Sequence, residues 1–569
     1  MTSRWRYSVL AGALMLVAGC AARDTADPGR NWDQFVSGFM DTYFQAEPLF
    51  AVYQGRHELD GKFPDWSSAG LTRWNQRLHQ LRDSAIAFPV ADSDTARRVE
   101  REYLVAAIDR DLFWRERAEW PYRNPEYYTG GIDPNVYIAR EYAPLEQRMR
   151  AFTRYATNLP QALSQMRTNL RTPMPRSYAS IGEGRIGGLA TYLEQDVPGV
   201  FAPVKDSALR REFTVANGGA VKALKETAAW FGGQVKKGTN KYALGPELFR
   251  DMLRMTEGVD LPLDVVEARG KADMERNQTA LREACGKFAP GQTIARCMEK
   301  ANERKPVGGP VRAAQAQLDT LERFLREKDL VSIPGTEQAM VRESPPYQRF
   351  NAAYIDIPGP YEKGLPSIYY ISPPDPSWSA KERDAYIPGT ADLLFTSVHE
   401  VWPGHFLNFL HSNRAKSKFG QVFVGYAFAE GWAHYTEEMM WEAGLGKGDP
   451  EVHIGQLSNA LLRNARYLSA IGLHTKGMTI DQSERMFREQ AYQDPGNARQ
   501  QAARGTYDPA YLNYTLGKLM IRSLREEWTA TRGGRNAWKQ FHDDFLSYGG
   551  PPIPLVRKAM MGGKESAVM

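Results

Sequence analysis

The sequence predicts a mainly α fold, a large helical domain with a short β-sheet beside the helices that carry its candidate site. Two observations support this. Apolar residues recur at helical spacing through long charged stretches, and only one segment has the composition of a strand. In addition, no internal repeat, low-complexity tract or long polar linker divides the chain. Residues 32–560 therefore read as one helical domain, with two lobes around a cleft as the subdivision that so long a chain allows.

Taken in order, the first helix is signalled by Phe35, Phe39 and Tyr43, which fall on one face. Residues 70–120 read as two charged amphipathic helices and 145–171 as another. The stretches 206–235, 245–285 and 309–328 follow the same pattern. The strand candidate is 367–372, a β-branched and aromatic run closed by Pro373 and Pro374. Tyr369 and Tyr370 on it either line a substrate cleft by main-chain pairing or pack in the core, as aromatic strand residues more often do. Residues 390–549 return to helix, with Gly/Pro breaks at 444–450 and 549–552.

The N-terminus has a separate logic. Arg4 and Arg6 precede a short apolar run, 9–17, that ends in small residues, the pattern of a secretory signal. The run is well short of the roughly 20 residues needed to span a bilayer. Val17, Ala18 and Gly19 before Cys20 resemble the lipobox of bacterial lipoproteins. That resemblance implies removal of 1–19, acylation of Cys20, and a polar tether over 20–31. Ala21, where an aspartate would act as a retention signal, resembles the outer-membrane sorting rule of Gram-negative bacteria. The body would then stand in the periplasm, held to the membrane by lipid.

The 72 basic and 67 acidic residues are spread along the chain and leave a net charge of only +5. With no basic stripe interleaved with aromatics, this composition argues against a nucleic-acid partner. Apart from Cys20, the thiols are Cys285 and Cys297, separated by a Pro-Gly turn. In an oxidising compartment they can close a small loop, and a disulfide is favoured over two free thiols.

The segment TSVHEVWPGHFLNFL and the later AEGWAHYTEEM carry the chemistry. Zinc in hydrolases is commonly held by two neutral imidazoles and one carboxylate, which leaves a position open to water. His399, His405 and Glu430 supply that set. A further carboxylate is needed to take the proton from water and pass it to the leaving group, and Glu400 is suited to that role. The spacing of the histidines is unusual. On an unbroken helix six residues turn through about 600°, which leaves the rings about 120° apart. Pro403 and Gly404 fall in the extra positions, and a local bulge there would bring His405 back to the face of His399. His434 and Glu437 lie one and two turns beyond Glu430, as candidates to orient a ligand or hold substrate.

The pattern E-G-aromatic-A-x-Y-x-E from Glu430 to Glu437 resembles that around the zinc-binding glutamate of aminopeptidase N-like gluzincins. With the HExxPGH motif from His399 to His405, the chain resembles the bacterial domain-of-unknown-function 885 family over roughly residues 31–556. Further landmarks are residues 48–55 with Asp60, the tract at Asn158, Leu159, Pro175 and Arg176, and residues 511–525. The resemblance implies a gluzincin-like metallopeptidase, while the ligand set points to one zinc ion per chain and can also accept manganese, cobalt or iron. After the second histidine the family pattern reads His-Leu-Gln, whereas this chain has Phe406, Leu407 and Asn408, and the metal triad is unaffected.

Hydrolysis also needs a donor for the developing oxyanion. Tyr514, Lys518, Arg522 and Arg525 recur at helical spacing, and the matching family segment reads Tyr-x-x-Gly-Lys. Tyr514 is therefore the candidate oxyanion donor, with Lys518 and Arg525 as candidate contacts for a substrate carboxylate. The alternative is that Tyr511 and Tyr514 pack a C-terminal helix. Of nine histidines, His57, His79, His453, His474 and His542 have no ligand spacing and read as packed or surface residues. His411 is a weaker competitor as a ligand. The expected function is a zinc-dependent hydrolase, a peptidase cleaving oligopeptides. A hydrolase of non-peptide esters or amides, or a non-catalytic metal-binding lipoprotein, are the alternatives.

Overall fold

The computed structural model describes residues 28–562 apart from residue 92. The signal at 1–19 and Cys20 lie outside the described residues. The first helix, Pro28–Ala46, begins within the range assigned to the tether, so the helical body starts earlier than residue 32. The architecture is mainly α, with a single three-stranded sheet among the described residues.

Residues 70–120 form Ser68–Ala87 and Thr95–Leu112. Their starts are set by the side chains of Ser67 and Asp94, which accept from the N–H groups of Gly70 and Arg97. The expected 245–285 stretch is instead two helices. Gly258, at φ 69°, ends Pro246–Glu257, and Pro262 precedes the next helix, Leu263–Phe288, here α1. A further helix, Arg176–Gln195, escapes sequence reading because Gly182, Gly184, Gly187 and Gly188 weaken its helix signal.

The sheet consists of β1 (Ala339–Glu343), β2 (Ala353–Asp356) and β3 (Ser367–Ile371), in the order β1-β3-β2. β1 runs parallel to β3 and β2 antiparallel to it. β3, the strand expected from sequence, is therefore central and buried along its length, with both edges occupied. This corrects the expectation that it pairs with a substrate main chain. Tyr370 also turns away from the candidate site, its hydroxyl accepting from Asn135 at 3.0 Å.

Beyond the sheet, the helices that build the site are α2 (Thr390–Glu400), α3 (His405–Ser412), α4 (Tyr426–Glu442), α5 (Pro450–Thr475), α6 (Pro495–Tyr507) and α7 (Asn513–Ala530). Two buried apolar clusters form. One gathers N-terminal residues such as Trp32, Phe44, Tyr155 and Phe231. The other gathers Leu281, Phe395, Trp432, Leu461 and Leu516 around the site helices.

Where α4 crosses α7, Gly431 faces Gly517. A Cβ at Gly431 would lie 2.4 Å from the Gly517 Cα, and one at Gly517 would lie 2.1 Å from the Ala427 carbonyl oxygen. Side chains at these positions would force the helices apart. The close crossing packs the helix bearing Glu430 directly against the helix bearing Tyr514.

Cys285 and Cys297 form a disulfide, with their Cα atoms 5.8 Å apart. It joins the end of α1 to the short helix Ile294–Glu303. No described helix is long and apolar enough to cross a membrane.

Candidate metal centre

The two histidines of the motif stand on different helices. α2 ends at Glu400 and α3 begins at His405, so the link is a full break rather than the expected bulge within one helix. Val401 leaves helical geometry at φ −124°, ψ −77°, and Gly404 lies at φ −71°, ψ −129°. Pro403 has no N–H to continue a helix, while the Gly404 N–H turns back to the Val398 carbonyl at 2.9 Å. A Cβ at Gly404 would lie 1.8 Å from the His399 carbonyl oxygen, so any larger residue would displace the link. The indole of Trp432 donates to the Pro403 carbonyl at 2.8 Å and ties this break to α4.

The break places the two imidazoles side by side, with ring centres 4.8 Å apart and planes at 85°. Glu430 Oε2 lies 3.3 Å from His399 Nε2 and 3.1 Å from His405 Nε2. One donor atom from each of the three residues lies within 4.8 Å of the others. Both imidazoles and the carboxylate therefore converge on one small volume. Against the effect of burial, the two imidazoles hold the Glu430 carboxyl well below its ordinary value.

A second carboxylate orients the first ring. Glu437 Oε1 lies 2.7 Å from His399 Nδ1, and Oε2 lies 3.2 Å from His434 Nδ1. Arg463 Nη2 stands 3.0 Å from Glu437 Oε1. Burial opposes charge on Glu437, but the Arg463 cation, with the hydrogen bonds of His399 and His434, outweighs it and keeps the group ionised. An ionised Glu437 accepts the Nδ1–H of His399, which leaves the Nε2 lone pair directed toward Glu430. Burial pushes His434 down to about 4, so at neutral pH its ring is uncharged.

His399 and Glu400 line a cavity of about 1200 Å³, together with Tyr369, Asp392, Arg466 and Tyr514. Burial raises the Glu400 carboxyl, opposed by the two histidines. The Tyr514 ring stacks on His399, with centres 5.8 Å apart. Burial, then the Glu430 carboxylate, push its phenol up, so it stays protonated and able to donate. Tyr369 likewise keeps its proton, through burial and the nearby Glu400.

Other expected site residues are placed elsewhere. Lys518 is buried in an ion pair with Asp273 at 2.6 Å, with Glu438 at 3.5 Å. Arg525 binds the Tyr435 hydroxyl and Glu442, each at 3.0 Å. Neither lines the cavity, so their assignment as substrate-carboxylate contacts is corrected. Arg522 pairs with Glu438 and Glu526. His411 faces the Ser332 carbonyl at 2.8 Å and is not part of the triad. Tyr511 is buried in the core.

Sequence reading missed the α5 residues Asn459, Arg463 and Arg466. They form a polar stripe at i, i+4 and i+7 on a helix otherwise rich in Leu and Ala, and that stripe was the available signal. Asp392 on α2 was missed too. It accepts from Ser458 and Asn459 side chains at 2.8 and 2.9 Å and so docks α2 on α5.

Fold and site together define a mainly helical protein with a candidate divalent-metal centre at a helix break beside a large cavity. The chain belongs to the DUF885 family, described as "Bacterial protein of unknown function", whose pattern matches residues 48–560. None of the curated proteins compared with it matches. Among solved structures, a proposed lipoprotein of unknown function from Shewanella oneidensis is similar at a TM-score of 0.72 and 24% identity, covering 93% of this chain and 99% of that one. A proposed lipoprotein from Colwellia psychrerythraea is similar at a TM-score of 0.78 and 16% identity, covering 94% of this chain and 99% of that one. These two likenesses establish a shared fold.

Proposed function

We propose that this protein is a zinc-dependent hydrolase of the gluzincin-like peptidase type, acting on oligopeptides in its large cavity. One observation carries the reading: His399, His405 and Glu430 present three donor atoms to a common point, and Glu400 lines the cavity next to the first of them. The donor set, two imidazole nitrogens and one carboxylate oxygen, is that of catalytic zinc sites. Glu437 on the far nitrogen of His399 is the outer carboxylate that such ligands usually have.

Zinc held by these three residues would supply a Lewis acid that brings the pKa of water near 7. Glu400 accepts the proton of the attacking water and returns it to the leaving amine. The Tyr514 phenol donates to the oxygen on which negative charge develops. Glu437 keeps His399 in one tautomer throughout. A purely structural metal site has no use for Glu400, which weighs against a non-catalytic role.

In the same reading, Cys20 is acylated after removal of 1–19 and anchors the protein at the outer membrane, with the body in the periplasm. Support comes from the signal pattern and from the proposed lipoproteins that share the fold. The Cys285–Cys297 disulfide suits an oxidising compartment.

The test is turnover of a mixed oligopeptide library by wild type and by Glu400→Gln. The variant is expected to keep its zinc and lose cleavage. Cleavage unchanged in Glu400→Gln would remove the mechanism.

A further inference from the structure

Arg466 sits in the cavity wall, 4% exposed. A buried guanidinium is normally matched by a carboxylate, because desolvating a lone charge is costly. Among the described residues no carboxylate lies within ion-pair distance of Arg466. Its Nε donates to Gln501 Oε1 at 2.8 Å. Its guanidinium also lies over the Tyr514 ring, 4.6 Å from the centre. Neighbouring cations are already matched: Arg463 by Glu437 at 3.0 Å and Arg504 by Asp508 at 2.9 Å. Arg466 is thus the buried cation of this wall left without an anion.

Its position limits what that anion can be. The guanidinium is 4.6 Å from the Tyr514 ring centre, which is 5.8 Å from that of His399, so it lies at most about 10 Å from the His399 ring. One extended residue spans ~3.3–3.6 Å. A carboxylate held by Arg466 therefore falls about one or two residues from a bond positioned at the candidate metal centre. Gln501, itself buried and fixed by Asn497 at 3.0 Å, occupies the Nε edge of the guanidinium, so α6 packs against that side of Arg466.

We infer that Arg466 binds the free C-terminal carboxylate of the substrate, which makes the protein an exopeptidase that releases one or two residues from the C-terminus. This rests on the peptidase reading above and names its substrate class.

The test uses N-acetylated tetrapeptides of mixed sequence in three pools: free C-terminal acid, C-terminal amide, and amide with Asp or Glu as the last residue. Zinc-loaded full-length protein in detergent is incubated with each, and products are read by mass spectrometry. Cleavage of the acid pool at its last or second-last bond is expected, with the amides at least roughly 30-fold slower, as for loss of a buried charge partner. Arg466→Gln should raise KM for the acids and narrow the preference for acids over amides, with Arg466→Lys recovering part of that preference. Equal cleavage of acids and amides would overturn the inference and leave the peptidase reading standing. Cleavage of amides only before Asp or Glu would overturn it in favour of a side-chain carboxylate.

A binding measurement separates the inference from catalysis. Zinc-loaded Glu400→Gln should retain the acid pool over the amide pool in ultrafiltration, and the added Arg466→Gln should abolish that preference. Equal retention of the two pools would overturn the inference even if peptides are cleaved.

Discussion

Glu437 Oε1 stands 2.7 Å from His399 Nδ1, on the side of the ring that faces away from Glu430. A residue seven positions after one candidate ligand thus sets the tautomer of another. Neutralising it should weaken metal binding without removing a ligand. Glu437→Gln is expected to lower zinc affinity about 10–100-fold in a chelator competition. Unchanged affinity would mean that the His399 ring is oriented without it.

Tyr514 is placed to donate at the reacting carbonyl. Tyr514→Phe should retain zinc and lower kcat about 10²–10³-fold with little change in KM, as for removal of an oxyanion donor. Steady-state kinetics on any peptide that the wild type cleaves will read this. A change confined to KM would make Tyr514 a binding residue only.

The α4–α7 crossing should be intolerant of volume. Gly431→Ala places a methyl group against the Gly517 backbone, and overpacking of this kind costs about 1–3 kcal/mol. Because α4 carries Glu430, zinc affinity should fall with thermal stability. If the melting temperature drops and zinc affinity is untouched, the crossing supports the fold without positioning the ligand.

A pH effect is expected away from the site. His57 lies 3.0 Å from Asp60 and 3.1 Å from Glu362. Burial lowers its pKa, but hydrogen bonds to these carboxylates outweigh that and raise it to about 9. The folded value exceeds the ordinary one near 6.5, so the stabilisation is complete below about pH 6.5 and is lost as pH rises through about 9. Melting temperatures of wild type should therefore decline over that window more than those of His57→Gln. Parallel curves would show that His57 takes up no extra proton on folding.

Much of the site was legible because its residues cluster in two short segments. His399, Glu400 and His405 could be read from residue type and spacing, Glu430 from the resemblance of its segment to the gluzincin pattern, and Glu437 from its helical offset. The link between the histidines was harder: Pro403 and Gly404 signal an interruption, but whether a helix bulges or stops depends on what the link packs against, here Trp432. Lys518 and Arg525 were misplaced for a related reason. Helical spacing shows which residues share a face with Tyr514, not how far along the helix the cavity extends, and Asp273 on α1 captures Lys518 one turn on. Arg466 could not be linked to the site at all, since it lies on a later helix and reaches the cavity only through the packing of α5. In the fold, the apolar β3 was evident, whereas β1 and β2 were too short and mixed to stand out, and glycines masked Arg176–Gln195.

The most direct measurement is the metal content of the purified protein after exposure to zinc, by elemental analysis of wild type and Glu430→Ala. One zinc per chain in the wild type, with loss in a variant that keeps its helical circular dichroism, is the result expected of a centre built from His399, His405 and Glu430. A wild type that takes up no stoichiometric divalent metal, or a Glu430→Ala protein that holds it equally tightly, would contradict that centre.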